Sequence, residues 1–249
     1  MPDRIAKAFL LAAGLGTRLR PLTDHTPKCL VPIHGRPLLS LWLDFCEQRG
    51  VRQVLINTHH LAGQVGDWAR SQKSRVKISL FHEEVLLGSA GTIAANREFV
   101  GDSKDFYVFY ADNLVSTDLT GLDALHALHS GVLTIGLFQT PKPQGCGIVT
   151  LDSAGKVLSF EEKPSHPRSD LANAGLFLAR RSLFDYLPQG AFADLGRDVM
   201  PKLVGSMWGQ VLDGYLVDIG THDNYARALR EWPPVTRNPA RGRDAGAAS

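Results

Sequence analysis

The apolar positions in the first half of the chain form short continuous runs that alternate with segments of helical periodicity. Continuous apolar runs are typical of strands buried on both faces, and apolar residues at every third or fourth position indicate amphipathic helices. The predicted strands are residues 6–13, 53–58, 77–82 and 106–110, and the predicted helices are residues 37–48, 61–71 and 91–98. This alternation predicts a mostly parallel sheet with helices on both faces.

The second half has shorter apolar segments that are separated by turn residues. The predicted strands are residues 132–139, 147–151, 157–161, 173–179, 211–212 and 215–218. Asp213-Gly214 favours a tight β-hairpin, so we expect the last two strands to pair with each other. Thr221 is a predicted N-cap of a final helix that ends at Arg230. Because these strands would extend the first sheet, the predicted fold class is α/β, with a single-domain, Rossmann-like mixed β-sheet flanked by helices.

Length and composition give the domain boundaries. A chain of 249 residues is long enough for one large α/β domain, which we assign to residues 1–232. Residues 233–249 are rich in proline, arginine, glycine and alanine, a composition that predicts a disordered tail. This tail carries three arginines and one aspartate and so accounts for the whole net charge of +2. The remainder is electrically balanced, which argues against nucleic acid as a partner.

Cysteine content and the N-terminus bear on the compartment. The three cysteines Cys29, Cys46 and Cys146 are odd in number and have no metal-ligand spacing. The N-terminal residues lack a signal-peptide core, and no apolar run is long enough to span a bilayer. We therefore expect a reduced, cytoplasmic enzyme with no membrane partner.

A loop rich in glycine and arginine, residues 14–21, follows the first predicted strand, and Lys28 lies shortly after it. Glycines let successive backbone N–H groups point to one side, and arginine forks match phosphate oxygens. The loop therefore predicts a polyphosphate site. It lacks the Gly-Lys-Ser/Thr ending of a P-loop, and both the third glycine and the ribose-binding acid of a dinucleotide fingerprint are missing. For Arg20, a phosphate-binding role and a solvated surface position stay open.

The same loop resembles the signature of the sugar-1-phosphate nucleotidylyltransferases, Gly-x-Gly-Thr-Arg-Leu-x-Pro-Leu-Thr followed by Pro-Lys-Pro-Leu. Cys29 is the one departure, because the family has proline there. The resemblance continues in residues 84–92, 110–113, 158–164, 173–175 and 217–221, and it implies the nucleotide-diphospho-sugar transferase type of fold. The matching loop positions are Gly14, Gly16, Thr17, Arg18, Leu19, Pro21, Leu22, Thr23, Pro27, Lys28 and Leu30.

The resemblance also implies a role for individual residues. Arg18 and Lys28 would be the catalytic cations that neutralise the triphosphate. Asp112 and Asp218 would bind Mg²⁺, which favours a few carboxylates together with phosphate and water oxygens. The implied nucleotide-binding residues are Leu11, Ala13, Gly14, Gly16, Thr17, Gly88 and Gly91. The implied sugar-phosphate-binding residues are Gly147, Glu162, Lys163 and Asn173.

The expected reaction transfers a nucleotidyl group from a nucleoside triphosphate to a sugar-1-phosphate, with Mg²⁺ as cofactor. Residues 87–92 are closer to the segment of guanylyltransferases than to that of thymidylyltransferases, and Gly91 is expected to leave room for a purine. We therefore expect GTP with mannose- or heptose-1-phosphate. The alternatives are UTP or dTTP with another sugar, a non-catalytic nucleotide-sugar sensor, or a dinucleotide-dependent oxidoreductase. The sequence leaves a homo-oligomer open.

Overall fold

The structure is a computed structural model that describes residues 5–188, 190 and 192–232. The predicted tail, residues 233–249, lies outside the described part of the chain. The strands are β1 Lys7–Leu11, β2 Pro32–Ile33, β3 Arg36–Pro37, β4 Gln53–Thr58, β5 Lys77–His82, β6 Asp105–Tyr110, β7 Asn113–Thr117, β8 Leu133–Gln139, β9 Gly147–Leu151, β10 Val157–Glu162, β11 Leu171–Arg180, β12 Met207–Val211 and β13 Gly214–Asp218. The helices are α1 Leu22–His25, α2 Leu38–Gln48, α3 Ala62–Ser71, α4 Gly88–Ala95, α5 Arg97–Val100, α6 Thr120–Leu128 and α7 His222–Glu231.

A mixed sheet of nine strands forms the centre of the molecule. β1 lies between β4 and β6 and is parallel to both, and β5 extends the parallel part beyond β4. On the other side, β11 is antiparallel to β6 and β8 is antiparallel to β11. The β9–β10 hairpin and β12 complete the sheet. This architecture confirms the predicted α/β class.

Both faces of the sheet are buried. Ala8 and Leu10 face one core cluster and Phe9 faces the other, as the alternation of side chains along a strand requires. On the first face, Trp42 of α2 stacks on Phe109 of β6 with ring centroids 5.2 Å apart. Helices cover both faces, and in such folds ligands bind at the carboxyl edge of the sheet, where β1 ends. No helix of the described residues is long and apolar enough to cross a membrane.

The predicted hairpin at Asp213-Gly214 is wrong. β12 pairs with β8 in the central sheet, whereas β13 pairs with β7 in a separate two-stranded sheet. Gly214 has φ +123, and a Cβ there would lie 2.4 Å from the carbonyl oxygen of Ser116. The glycine therefore permits close contact with β7 and does not form a tight turn between paired strands.

Other boundaries also differ from the predictions. β7 and α6 were not predicted, and α4 begins at Gly88 and not at Gly91. The predicted cap of the last helix is confirmed, because Thr221 Oγ1 accepts the N–H of Asn224 at 3.2 Å.

Candidate active site

A cleft of about 300 Å³ opens at the carboxyl ends of β1, β4, β5 and β6. Parallel strands place the residues that follow them at one edge of the sheet, where α/β folds bind ligands. The segment 192–194 forms the opposite wall. The lining residues are Leu11, Ala12, Ala13, Gly14, Lys28, Cys29, Asn57, Glu83, Leu86, Gly88, Ser89, Tyr110, Asp112, Phe192 and Asp194.

The glycine loop after β1 is shaped by two different glycines. Gly14 is exposed, and a Cβ there would meet nothing within 4 Å. Gly16 has φ +64, and a Cβ there would lie 2.8 Å from Thr23 Cγ2 and 3.1 Å from Lys28 Cβ. Thr23 Oγ1 also donates to the Gly16 carbonyl at 2.7 Å. Gly16 therefore allows the loop to fold against the segment that carries Lys28, while Gly14 leaves the cleft side open.

Lys28 connects two carboxylates that are distant in sequence. Its Nζ lies 2.7 Å from Asp112 Oδ2 and 3.3 Å from Asp218 Oδ1, and its side chain is only 7% exposed. The β7–β13 ladder pairs Asn113 with Asp218 and so brings the two aspartates together. Burial alone would lower the pKa of Lys28, but the charges and hydrogen bonds of Asp112 and Asp218 raise it above its usual value. Lys28 is therefore a fixed cation beside the glycine loop.

The two aspartates suit a magnesium ion that shares its coordination with substrate. Their side chains are 43% and 45% exposed, so both can reach ligands from the solvent side. Within the described residues, no group of three or more His, Cys, Asp or Glu side chains is placed to hold a metal. Mg²⁺ is commonly held by one or two carboxylates plus phosphate oxygens and water. A metal here would compete with the Lys28 ammonium for the same carboxylate oxygens.

The two arginines of the loop have different surroundings. A Cβ on Gly220 would lie 2.9 Å from Arg18 Nη2 and 2.8 Å from Asp218 Oδ1, so Arg18 packs over this glycine beside the aspartate. Arg20 instead pairs with Asp24 at 3.1 Å on the surface. Arg18 thus lies beside Asp218, outside the lining of the cleft, and Arg20 fits the surface interpretation.

The predicted sugar-phosphate residues lie beyond the lining of this cleft. Glu162 Oε2 packs against Gly147 and Gly196, because a Cβ on either glycine would lie 2.8 Å from this oxygen. Burial raises the pKa of Glu162, and the charge of Asp194 raises it further. Lys163 has φ +51, a conformation that is unusual for a lysine, and its Nζ lies 3.9 Å from Glu162 Oε1. These residues form a second subsite that adjoins the cleft at Asp194.

Asn173 stands at a bulge in β11. The pairing of β11 with β8 is irregular between Asn173 and Phe177, and Asn173 Oδ1 accepts the N–H of Gly175 at 2.9 Å. Gly175 has φ +69, and a Cβ there would lie 2.9 Å from both Asn113 Nδ2 and Tyr110 Cβ. The bulge therefore brings β11 close to the segment that carries Asp112.

Sequence reasoning missed a buried polar network behind the glycine loop. Asn57 Oδ1 accepts the N–H of Ala12 at 2.6 Å, and Asn57 Nδ2 donates to Glu83 Oε1 at 2.8 Å. Glu83 also accepts from the Thr92 hydroxyl at 2.5 Å and from the N–H of Leu87 at 2.9 Å. Asn57 lies near the end of β4, and Glu83 directly follows β5. A polar residue at the end of a strand is the same signal that identified Asp112, and it could have identified these two residues.

Gly88 and Gly91 differ in their access to the cleft. Gly88 lines the cleft with φ +74, and a Cβ there would lie 2.4 Å from the Ala193 carbonyl oxygen. Gly91 is buried inside α4, and its N–H donates to the same carbonyl at 3.1 Å. Gly91 is not among the lining residues, so the expected space for a purine does not arise at this position.

Comparison with known proteins places the chain among enzymes. Residues 7–233 match the family described as Nucleotidyl transferase. The chain is 35% identical over 242 residues to a UTP–glucose-1-phosphate uridylyltransferase from Synechocystis, covering 90% of this chain and 62% of the relative. It is 31% identical over 230 residues to a mannose-1-phosphate guanylyltransferase from Mycobacterium tuberculosis, covering 88% and 62%. The chain thus spans less than two thirds of these curated relatives.

The fold is also shared with solved structures. UDP-glucose pyrophosphorylase from Acinetobacter baumanii superposes with a TM-score of 0.79 at 20% identity, covering 90% of this chain and 92% of that one. At this identity the likeness supports the fold alone.

Proposed function

We propose that this chain, which belongs to the nucleotidyl transferase family, transfers a nucleotidyl group from a nucleoside triphosphate to a sugar-1-phosphate and releases pyrophosphate. The observation that carries the proposal is the Lys28 ammonium, fixed between Asp112 and Asp218 beside an open glycine loop. This arrangement places one cation and two carboxylates that can bind a metal ion where a triphosphate would lie. The reaction needs no nucleophile from the protein.

The attacking group in this reaction is a phosphate oxygen of the sugar-1-phosphate, which is already an anion. Catalysis therefore consists of aligning the two substrates and of placing positive charge around the triphosphate. In our assignment Arg18 binds the departing pyrophosphate, Lys28 binds the phosphates around the reacting phosphorus, and the loop amides from Gly14 to Thr17 hold the chain of phosphates. Lys163 and Glu162 hold the phosphate and the hydroxyls of the acceptor, together with Asn173 and the amide of Gly147.

A divalent cation, most simply Mg²⁺, completes the assignment. Asp112 and Asp218 supply hard oxygen ligands that converge on one point, and bound metal would supply further charge to the phosphates. Replacing either aspartate with asparagine removes one ligand charge at constant size. We expect turnover to collapse in both variants without loss of the folded state, and near-normal turnover with excess chelator would contradict the metal assignment.

For the base, we propose GTP, on a different ground from the position of Gly91. Glu83 lines the cleft and is 2% exposed, and among the described residues its Oε2 accepts only the Leu87 N–H, which leaves one acceptor position for a ligand. Guanine presents two adjacent donors, N1–H and N2–H, on its pairing edge, whereas uracil and thymine present one N–H between two carbonyls. The carboxylate therefore favours guanine, because it would repel the two carbonyl oxygens that flank the single N–H of uracil or thymine.

The experiment is a pyrophosphate-release assay that crosses GTP, UTP, dTTP, CTP and ATP with a panel of sugar-1-phosphates, mannose- and heptose-1-phosphate included. We expect GTP to have the highest kcat/KM, and Glu83→Gln to reduce its advantage over UTP at least about 10-fold. A preference for UTP or dTTP in the unmodified enzyme would refute the choice of base and leave the reaction class intact. Nucleotide binding with no pyrophosphate release from any pair would refute the reaction.

A further inference from the structure

Asp194 lies at the junction of the cleft and the second subsite, on a segment that is clamped onto the start of α4. The Ala193 N–H donates to the Leu87 carbonyl at 2.9 Å, and the Ala193 carbonyl accepts the N–H groups of Ala90 and Gly91 at 2.9 and 3.1 Å. A π-helical turn, Leu195–Val199, follows directly. These bonds fix the backbone on both sides of the Asp194 side chain.

The carboxylate of Asp194 is oriented by two donors. Its Oδ1 accepts the N–H of Arg197 at 3.0 Å, and its Oδ2 accepts from the Ser89 hydroxyl at 2.9 Å. Ser89 Oγ in turn accepts the N–H of Leu195 at 2.7 Å and the Tyr110 hydroxyl at 3.4 Å. Because both of those groups donate to Ser89, the Ser89 proton is directed to Asp194. The aspartate is thereby held as an acceptor with lone pairs left for a ligand.

Glu162 borders the same space from the side of β10. A Cβ on Gly196 would lie 2.8 Å from Glu162 Oε2 and 3.3 Å from Asp194 Oδ1, so only glycine leaves this space open. No described residue donates a hydrogen bond to the Glu162 carboxylate, whose side chain is 29% exposed. Two carboxylates therefore border one opening, with the Lys163 ammonium 3.9 Å from Glu162 Oε1 and assigned to the acceptor phosphate, and the hydroxyl-binding part of a ligand there must bring donors.

We infer that Asp194 is a further sugar-binding residue, and that Asp194 and Glu162 together restrict the acceptor to sugar-1-phosphates whose sugar part is uncharged and bears hydroxyls, and exclude sugar acids. The inference rests on the proposed function. Sugar hydroxyls donate hydrogen bonds to both carboxylates. A hexuronate would place a third negative charge beside two partly buried ones, where electrostatic repulsion is screened less than in water.

The test compares Asp194→Asn with the unmodified enzyme. The acceptors are the preferred neutral sugar-1-phosphate of the panel and the hexuronate-1-phosphate of the same ring configuration. Asp198→Asn is the matched control, since Asp198 Oδ2 accepts the Asp194 N–H at 2.8 Å but lines no part of the cleft. An asparagine there keeps an oxygen acceptor for that bond. The readouts are the KM of each acceptor, the KM of the triphosphate and kcat.

We expect the unmodified enzyme to prefer the neutral acceptor at least about 10-fold in kcat/KM. Asp194→Asn should raise the KM of the neutral acceptor about 10-fold, because it weakens hydrogen bonds to a charged group. It should also narrow the discrimination against the uronate, while the KM of the triphosphate changes less than about two-fold.

Three results would overturn the inference. They are equal use of the uronate by the unmodified enzyme, an equal rise in KM for acceptor and triphosphate in Asp194→Asn, and identical behaviour of Asp194→Asn and Asp198→Asn. Failure of the proposed function would look different, because the unmodified enzyme would then release no pyrophosphate from any pair.

Discussion

Replacing Lys28 with methionine is the sharpest test of the proposed mechanism, because methionine keeps most of the length of the unbranched side chain and removes its charge and its hydrogen-bond donors. The ammonium is 2.7 Å from Asp112 and 3.3 Å from Asp218. Loss of one preorganised charge at a developing anion costs about 10²–10³-fold in rate, or roughly 3–4 kcal/mol of transition-state stabilisation. We therefore expect kcat/KM to fall by that factor.

The same substitution should have a much smaller effect on stability. Breaking a fully buried ion pair costs about 3–5 kcal/mol, but the two aspartates are nearly half exposed and can be hydrated. Solvent screening reduces the expected cost to about 1 kcal/mol, which for a domain of this size lowers Tm by roughly 2–4 °C. The variant should therefore remain folded at assay temperature.

The assay is steady-state pyrophosphate release, with Tm measured on the same preparations. Lys73→Met is the control, since Lys73 is an exposed lysine between α3 and β5. We expect no change in either quantity for the control. If Lys28→Met kept more than about half of the original kcat/KM, the loss would be only ~0.4 kcal/mol, and the catalytic role of Lys28 would be refuted.

Three further predictions follow from other parts of the chain. Gly16→Ala should lower Tm by several degrees, because Gly16 has φ +64 and contacts Thr23, whereas Gly14→Ala should leave Tm unchanged in the open space there; equal Tm values for the two variants would contradict this. Burial, with the nearby charges of His126 and Arg180, lowers the pKa of His129 to about 4. As the pH drops from about 6.5 to 4, the unfolded chain binds a proton on His129 at a higher pH than the folded chain does, so the free energy of unfolding should fall. Urea denaturation measures this fall, and an equal fall in His129→Asn would refute its origin in His129. Truncation after Trp232 should leave Tm and turnover nearly unchanged, as the composition of residues 233–249 predicts, and a loss of several degrees would show that the tail stabilises the fold.

The parallel part of the sheet could be predicted from sequence because its signals are local. β4 and β5 have the predicted boundaries, and β1 and β6 differ from the predicted ends by one or two residues. β1, β4 and β6 are largely apolar runs with buried side chains on both faces, which requires no knowledge of their neighbours, whereas β5 is an edge strand with no buried residue. The residues that follow these strands could be assigned to one edge for the same reason, and the structure brings Gly14, Lys28 and Asp112 together there.

The pairing of β12 and β13 could not be predicted, because it depends on long-range contacts. Asp213-Gly214 favours a hairpin locally, but β12 gains a partner in β8 and β13 gains one in β7. The second pairing also decides the site, since it brings Asp218 beside Asp112. The resemblance had implied both aspartates, and only the tertiary structure shows that Lys28 lies between them.

The sequence by itself determined the class of fold and predicted a phosphate-binding loop and its charged residues, because glycine, arginine, lysine and aspartate have their conformational freedom or charge in any context. The tertiary structure alone decided which polar groups are buried and which face a ligand. Glu83 and Asp194 look like ordinary surface residues in the sequence, and Ser89 is only one position of the segment that resembles the family. Their proposed roles depend on burial and on partners up to 106 residues away, and the chain fixes such partners only when the whole sheet and its connections have packed.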